Sequence, residues 1–185
     1  MHALFSMGEN PMVSDPDINH VREGLEKLDF LAVADIMDNE TMRYAHVVLP
    51  AASFAEKEGT VTNTERRVQR VRKAVEPVGK ARADWEIVCE LARRMGASGF
   101  DFSRPEEVFE EIRKVTPSYA GISYRRLGTQ GLQWPVPDED HPGTPILHAE
   151  KFPTGKVGKG RFTACEYHEP VETPDAEYPF MLTTG

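Results

Sequence analysis

The 185-residue sequence contains 22 basic and 30 acidic side chains, which gives a formal net charge of −8 at pH 7. A chain this acidic lacks the basic face that nucleic acids and anionic membranes attract, so we expect neither as a partner. Apolar residues make up 39% of the chain and no apolar run approaches the roughly 20 residues that cross a bilayer, which indicates a soluble globular protein.

The first part of the sequence predicts alternating strands and helices. Helix-start signals at Asp17 and Asp38 each precede a segment with helical character. Three apolar runs lie around these segments and are predicted as strands: 4–7, 30–34 and 46–49. The order strand, helix, strand, helix, strand implies right-handed crossovers, and therefore an α/β fold with a Rossmann-like parallel sheet flanked by helices.

The middle of the sequence predicts two longer helices and one ambiguous stretch. Residues 61–75 fit either an irregular strand pair or an extended loop, because their periodicity favours neither. An apolar helix face that includes Cys89 follows Asp84, which is predicted as the N-cap of that helix. Pro105 opens a second amphipathic helix, and a short helical turn is predicted within 119–127.

The remainder of the sequence differs in composition. Residues 128–160 are rich in glycine, proline and charge, and they predict a long irregular surface excursion with Trp134 as its large anchor. Strands are predicted at 161–167 and 179–184, on either side of a proline-rich acidic linker. The predicted domains are an α/β domain, the excursion, and a linker with the first strands of a truncated C-terminal β domain: 1–127, 128–160 and 161–185. We interpret the sequence as a fragment of a longer polypeptide, and we expect a cytoplasmic location because no signal-peptide pattern is present.

Polar residues follow the predicted strands and open the next helix. Taken singly, Asn10 belongs to a turn, Asp35 is a cap or turn residue, Lys57 is a surface lysine and Asp84 is a helix N-cap. Ligands of open α/β sheets bind outside the carboxyl ends of the strands, so the four together favour a nucleotide-like ligand. The carboxylate of Asp35 suits the N1–H and amino group of guanine, and Lys57 suits a phosphate or a ribose.

The sequence contains no recognisable motif for catalysis or metal binding. It contains no nucleophile–base pair in a known motif, and the paired Arg66 and Arg67 are most simply a solvated face. Cys89 and Cys165 form no CxxC motif, and the histidines have no metal-ligand spacing. We therefore predict no catalytic and no metal-ligating residue, and interpret the chain as a cofactor-holding module.

Several ordered motifs resemble the molybdopterin oxidoreductase family, and within it the catalytic alpha subunits of formate dehydrogenases. Asp35 and the final segment 178–185 belong to this resemblance, which covers nearly the whole chain. The other motifs are Gly8-Glu9-Asn10-Pro11, Val47-Val48-Leu49-Pro50, Glu56-Lys57-Glu58-Gly59-Thr60, Asn63-Thr64-Glu65-Arg66-Arg67-Val68-Gln69, Asp84-Trp85-Glu86-Ile87, Tyr119-Ala120-Gly121-Ile122, Gln133-Trp134-Pro135 and His141-Pro142-Gly143-Thr144.

The resemblance implies a parent enzyme that oxidises formate to carbon dioxide with a bis(molybdopterin guanine dinucleotide) cofactor carrying molybdenum or tungsten. Electrons would leave through an iron–sulfur cluster to electron-transfer subunits or carriers. Residues 1–127 would be the second of two α/β domains that each hold one dinucleotide. The positions that match cofactor contacts of the family are Asn10, Ala34, Asp35, Lys57 and Asp84.

Two alternatives to a formate dehydrogenase remain open at this point. One is an assimilatory nitrate reductase, and the other is the non-catalytic large iron–sulfur subunit of an NADH–quinone oxidoreductase. The cluster cysteines and the metal-ligating residue of the family have no counterpart in this sequence. We therefore expect the isolated chain to lack the cofactor and to be inactive.

Overall fold

The computed structural model describes residues 1–152 and 158–182, and the chain divides into two units, Met1–Pro145 and Ile146–Gly185. In the described residues the strands are β1 Ala3–Met7, β2 Phe30–Asp35, β3 Val47–Pro50, β4 Gly59–Thr62, β5 Arg67–Val71 and β6 Leu132–Gln133. The helices are α1 Pro11–Ser14, α2 Ile18–Glu26, α3 Asp84–Arg94, α4 Pro105–Val115 and α5 Tyr124–Leu127, with 3-10 helices at Glu40–Tyr44 and Pro117–Tyr119. The predicted boundaries 1–127, 128–160 and 161–185 stay predictions.

The first sheet has the order β1-β2-β3 with all strands parallel, which confirms the predicted α/β sheet. On the central strand, Leu31 and Val33 are fully buried, and they pack with Met12 of α1 and Leu25 of α2. Burial of one such side chain contributes about 1.5–3 kcal/mol to the stability of the fold. The positions of Leu31 and Val33 therefore determine which face of the sheet packs against the helices. Asp17 caps α2 as predicted, since its side chain accepts a hydrogen bond from the His20 N–H.

The second sheet is antiparallel, with the order β4-β5-β6. It shows that the ambiguous stretch 61–75 is a strand pair joined by a turn as far as Val71, with residues 72–75 outside any strand. In that turn the Asn63 carboxamide oxygen accepts hydrogen bonds from the N–H groups of Glu65 and Arg67 at 3.1 and 2.9 Å, and Arg66 has a φ of 66°. An asparagine side chain that replaces backbone partners in this way is typical of tight turns.

Part of the predicted excursion packs into a second core. Val136 is fully buried there beside Val68 and Phe109, and Leu132 and Trp134 pack against the same cluster. Leu132, Trp134 and Val136 alternate along the chain, so their side chains share one face of an extended segment. This segment therefore lies against the second sheet and does not run over the surface.

The described residues of the second unit contain no strand. The strand predicted at 161–167 is absent, and Phe162 and Val171 are fully exposed. A strand needs a neighbouring backbone for its hydrogen bonds, and the described part of this unit supplies none. The strand predicted at 179–184 lies partly outside the described residues.

Candidate functional site

The candidate site is the edge of the first sheet where its strands end. Because β1, β2 and β3 are parallel, their carboxyl ends meet there. Ala51, just after β3, forms a parallel bridge with Arg82, and this adds a further segment beside β3 immediately before α3. The Ala52 N–H donates to the Arg82 carbonyl at 2.8 Å, and the Ala51 N–H donates to the Asp35 carbonyl at 3.0 Å. Neighbouring strand ends are thus held side by side by backbone hydrogen bonds.

Asn10 joins the end of β1 to the 3-10 helix that follows β2. Its carboxamide nitrogen donates to the Glu40 carboxylate at 2.7 Å, and its oxygen accepts from the Thr41 hydroxyl at 2.7 Å. The hydrogen bond from Asn10 lowers the pKa of the Glu40 carboxyl below its usual value. Thr41 is fully buried, so Asn10 anchors the loop after β1 to a rigid part of the fold.

Ala34 and Asp35 end the central strand. Ala34 is fully buried, and its carbonyl accepts a hydrogen bond from the Gly8 N–H at 2.8 Å, so only its backbone faces the edge. The Asp35 carboxylate is partly exposed and accepts from the Ile36 N–H at 2.7 Å and from the Asn39 carboxamide at 2.9 Å. A carboxylate has about four acceptor positions, so the Asp35 side chain can still accept further hydrogen bonds from a ligand.

Lys57 and Asp84 form an ion pair, with about a third of each side chain exposed (29% and 34%). Asp84 is the first residue of α3, where a negative charge interacts favourably with the helix dipole. The prediction of Asp84 as the N-cap is wrong, because Ala83 occupies that position and the Asp84 carboxylate points to Lys57. Among the described residues, no hydrogen bond or ion pair connects this pair with Asn10 or Asp35.

A cavity of about 270 Å³ opens beside the ion pair. Lys57, Glu58 and Asp84 form its polar side, and its remaining walls are mainly apolar residues of α3, α4 and the second sheet. Close to this cavity, Arg70 pairs with Glu58 and stacks 3.7 Å above the ring of Tyr124. Burial raises the pKa of the Tyr124 hydroxyl. The Arg70–Tyr124 contact had no signal in the sequence, because its members are far apart along the chain.

Arg66 and Arg67 do not form a simple solvated face. The Arg66 guanidinium donates to the carbonyls of Thr144 and Pro145, both at 3.0 Å, and also to the carbonyl of Trp134. Arg67 pairs with Glu65 at 2.6 Å. Arg66 therefore holds the turn against the 132–145 segment, whereas the Arg67–Glu65 pair is local to the turn.

Glu56 is a further residue that the sequence analysis did not single out. Its side chain is buried and accepts backbone hydrogen bonds on both sides, from Ser53 and Val78. The only signal in the sequence is its place in the Glu56-Lys57-Glu58-Gly59 motif.

Cys89 is buried as predicted, and the described residues contain no group of three or more metal-ligating side chains. No helix in the described part of the chain is long and apolar enough to cross a membrane.

A comparison with protein-family models matches residues 1–94 to the molybdopterin oxidoreductase model. The chain belongs to the molybdopterin oxidoreductase family. It is 55% identical over 183 residues to the F420-dependent formate dehydrogenase subunit alpha of Methanocaldococcus jannaschii, a match that covers 98% of this chain and 27% of that protein. It is 42% identical over 191 residues to the assimilatory nitrate reductase catalytic subunit of Bacillus subtilis, which covers 98% of this chain and 27% of that protein.

This member of the molybdopterin oxidoreductase family spans about a quarter of the length of these curated relatives. Among solved structures, the acetylene hydratase of Pelobacter acetylenicus shares the fold with a TM-score of 0.54 and 22% identity. That match covers 68% of this chain and 17% of the hydratase.

Family membership implies a molybdopterin cofactor that carries molybdenum or tungsten. The side chains at the sheet edge fit such a group chemically. Asp35 offers acceptor positions to a base, Lys57 offers an ammonium group to a phosphate, and Asn10 offers a second amide hydrogen. The cofactor would supply the redox chemistry, and the residues of this chain would bind and orient it.

Proposed function

We propose that this chain holds the guanine dinucleotide end of a bis(molybdopterin guanine dinucleotide) cofactor in the catalytic subunit of a formate dehydrogenase. The parent enzyme would oxidise formate to carbon dioxide at molybdenum or tungsten. The proposed cofactor contacts are Asn10, Ala34, Asp35, Lys57 and Asp84. By itself, the 185-residue chain holds no stoichiometric cofactor.

The observation that carries this proposal is the carboxylate of Asp35. It lies at the carboxyl end of the central parallel strand, where ligands of open α/β sheets bind. Two local donors hold it in one orientation and leave acceptor positions free. A fixed carboxylate of this kind accepts two parallel hydrogen bonds from the N1–H and amino group of guanine, and adenine offers no such pair of donors.

Lys57 and Asp84 support a second contact with the same ligand. The partly exposed Lys57 ammonium suits a phosphate or ribose oxygen. Asp84 can accept from a ribose hydroxyl when Lys57 turns to the ligand. Ala34 would act through its backbone, so a small side chain is suitable at this position.

Formate is the substrate that the relatives favour. The formate dehydrogenase of M. jannaschii is 55% identical to this chain, against 42% for the nitrate reductase of B. subtilis. The non-catalytic subunit of an NADH–quinone oxidoreductase is a weaker alternative, because Asp35, Lys57 and Asp84 together suit a cofactor binder. Purified full-length protein assayed with formate and with nitrate separates these candidates, and reduction of nitrate without oxidation of formate would overturn the proposal.

The electron-transfer partners follow from the same proposal, and the location is proposed separately. Electrons would pass to an electron-transfer subunit or carrier, and the name of the M. jannaschii relative makes F420 the first acceptor to test. We propose a cytoplasmic location for the parent enzyme.

Replacing Asp35 by alanine in the full-length enzyme tests the cofactor contact. Loss of hydrogen bonds to a charged group costs about 1.5–3 kcal/mol, which corresponds to about a ten- to hundredfold weaker affinity for the cofactor. We therefore expect Asp35→Ala to lose most of its guanine nucleotide and metal, measured per mole of purified protein. Asp35→Asn should lose part of them, because an amide supplies one acceptor and one misplaced donor.

Two controls separate cofactor binding from local structure. Asp38→Ala removes an exposed carboxylate from the same loop and should retain the cofactor. Asn39→Ala removes one of the two donors to Asp35, together with the side-chain cap of the 3-10 helix, and should lose less cofactor than Asp35→Ala. Full cofactor content in Asp35→Ala would refute the contact. Equal losses in Asp35→Ala and Asp38→Ala would assign the effect to the loop and not to a contact of Asp35.

A further inference from the structure

Glu56 is a buried carboxylate that no cation neutralises within the described residues. The residue is 8% exposed. One carboxylate oxygen accepts a hydrogen bond from the Ser53 N–H at 2.8 Å, and the other accepts from the Val78 N–H at 2.9 Å. Burial of a charge is costly unless hydrogen bonds satisfy it, and here two backbone donors do so.

The hydrogen bond from Val78 joins Glu56 to a segment that lies 22 residues further along the chain. Ser53 belongs to the loop that leaves β3, and Val78 belongs to the stretch that leads to α3. The same two stretches also meet at Ala55, whose carbonyl accepts from the N–H groups of Ala74 and Val75 at 2.8 and 3.1 Å. Glu56 is therefore the side-chain bridge between the loop and the stretch before the helix.

Each of the bridged segments carries one member of the ion pair. Lys57 directly follows Glu56, and Asp84 begins α3 shortly after Val78. The backbone between them is also fixed, since the Ala81 N–H donates to the Val78 carbonyl at 3.0 Å and the Arg82 N–H donates to the Pro50 carbonyl at 3.1 Å. Lys57 and Asp84 thus lie on the two segments that the Glu56 side chain joins.

We propose that Glu56 is a positioning residue, which sets the Lys57–Asp84 pair at the edge of the sheet and through it the contact with the cofactor. The inference rests on the proposed role of Lys57. A carboxylate is required, because it accepts from both N–H groups, whereas an amide places an N–H₂ group against one of them. Glutamine has nearly the same shape, so Glu56→Gln changes the bridge with little change in volume.

The first measurement needs no cofactor. In full-length protein purified without cofactor, acetic anhydride labels lysine amines, and mass spectrometry measures the rate at Lys57. We expect Glu56→Gln to raise the Lys57 labelling rate about two- to fivefold, the range that a weakened, partly exposed ion pair allows. Asp84→Asn serves as the positive control. Glu76→Gln is the matched control, because it removes the same charge from an exposed ion pair with Lys73 and should leave the rate unchanged.

The second measurement is cofactor content in the full-length enzyme. Glu56→Gln should weaken cofactor affinity by about tenfold, as expected for one misplaced charge-assisted hydrogen bond. In a Lys57→Ala background, Glu56→Gln should cause no further loss, because Glu56 acts through Lys57. A purely structural residue would give additive losses in this double-mutant cycle.

The outcomes separate this inference from the proposed function. If Lys57→Ala retains the full cofactor content, the proposed role of Lys57 fails, whatever the labelling shows. If Lys57→Ala loses cofactor but Glu56→Gln keeps both the wild-type labelling rate and the cofactor, the positioning role is overturned. Glu56→Asp, which is too short to reach both N–H groups, provides a second variant. Loss of soluble protein in both Glu56 variants also overturns the inference, since Glu56 would then serve the fold.

Discussion

Asp35 and Glu56 are carboxylates with different environments at the same edge of the sheet. Both accept hydrogen bonds from backbone N–H groups, but Asp35 remains partly exposed and Glu56 is buried. The buried carboxylate has no acceptor position that a ligand can reach, whereas the exposed one does. Residue type alone does not separate these two roles, and the difference comes from the loop geometry around each side chain.

The environment of Glu56 predicts a pH dependence of stability. Hydrogen bonds from Ser53, first from its N–H and then from its side chain, and after these from the Val78 N–H lower the pKa of the Glu56 carboxyl below its ordinary value of 4.5. A lowered pKa in the folded state gives stability that is present above the unfolded pKa and is lost as the pH falls through the folded one.

We expect the difference in Tm between the 185-residue chain and its Glu56→Gln variant to be largest near neutral pH. It should shrink as the pH falls from about 5 towards about 3, because the wild-type carboxyl becomes protonated. Thermal unfolding of both proteins across this range provides the measurement, with Glu76→Gln as the exposed control. A constant difference at all these pH values would contradict the assignment.

At the scale of elements, arginines hold the 132–145 segment by donating to backbone carbonyls. Arg126 donates to the carbonyl of His141 at 2.6 Å, and Arg113 of α4 reaches the segment by donating to the Glu139 carboxylate at 3.0 Å. Arg66 reaches the carbonyls of Thr144 and Pro145. A segment with little regular structure thus has its backbone acceptors satisfied by side chains.

Close packing of this segment predicts a strong effect of Gly121→Ala. A Cβ atom at position 121 would overlap the carbonyl of Asp138 and touch Val136. Because backbone atoms cannot move aside as a flexible side chain does, we expect Gly121→Ala to lower the free energy of unfolding by about 1–3 kcal/mol or more. Denaturant titration of the 185-residue chain measures this change.

The matched control is Gly24→Ala in α2, where a Cβ would meet no heavy atom within 4 Å. This substitution should raise the free energy of unfolding by about 0.5–1 kcal/mol, since alanine favours the helix. If the two glycine variants had the same free energy of unfolding, the close approach of Gly121 to Asp138 would be disproved.

The first sheet could be predicted from sequence because its signals are local. Each strand is an apolar run, and Asp17 caps the next helix where the pattern indicates. The second sheet could not, since β6 has only two residues and pairs with β5 from far along the chain. The Lys57–Asp84 pair was missed for the same reason: its members are 27 residues apart, and a sequence does not show which lysine meets which carboxylate. By contrast, the location of Asp35 at a strand end follows from β2 alone.

At the scale of the whole molecule, the chain carries only part of what the proposed reaction requires. Cys89 is buried within α3, Cys165 stands alone in the second unit, and the described residues contain no metal-ligating cluster. We therefore expect the purified 185-residue chain to contain no stoichiometric molybdenum, tungsten or iron and to reduce no dye with formate. Elemental analysis and a dye-reduction assay against a blank preparation test this, and formate-dependent activity above the blank would refute it.

The ion pair between Lys57 and Asp84 has a consequence for which molecules can occupy the proposed site. A lysine that already has an anionic partner does not attract phosphate as a bare positive charge would, because any incoming phosphate must displace Asp84. Free phosphate or a nucleotide without guanine gains little from such an exchange. A ligand that also reaches Asp35 gains a second set of hydrogen bonds, which offsets the loss of the pair. Discrimination against free phosphate and against nucleotides without guanine would thus arise from a contact that exists before any ligand binds.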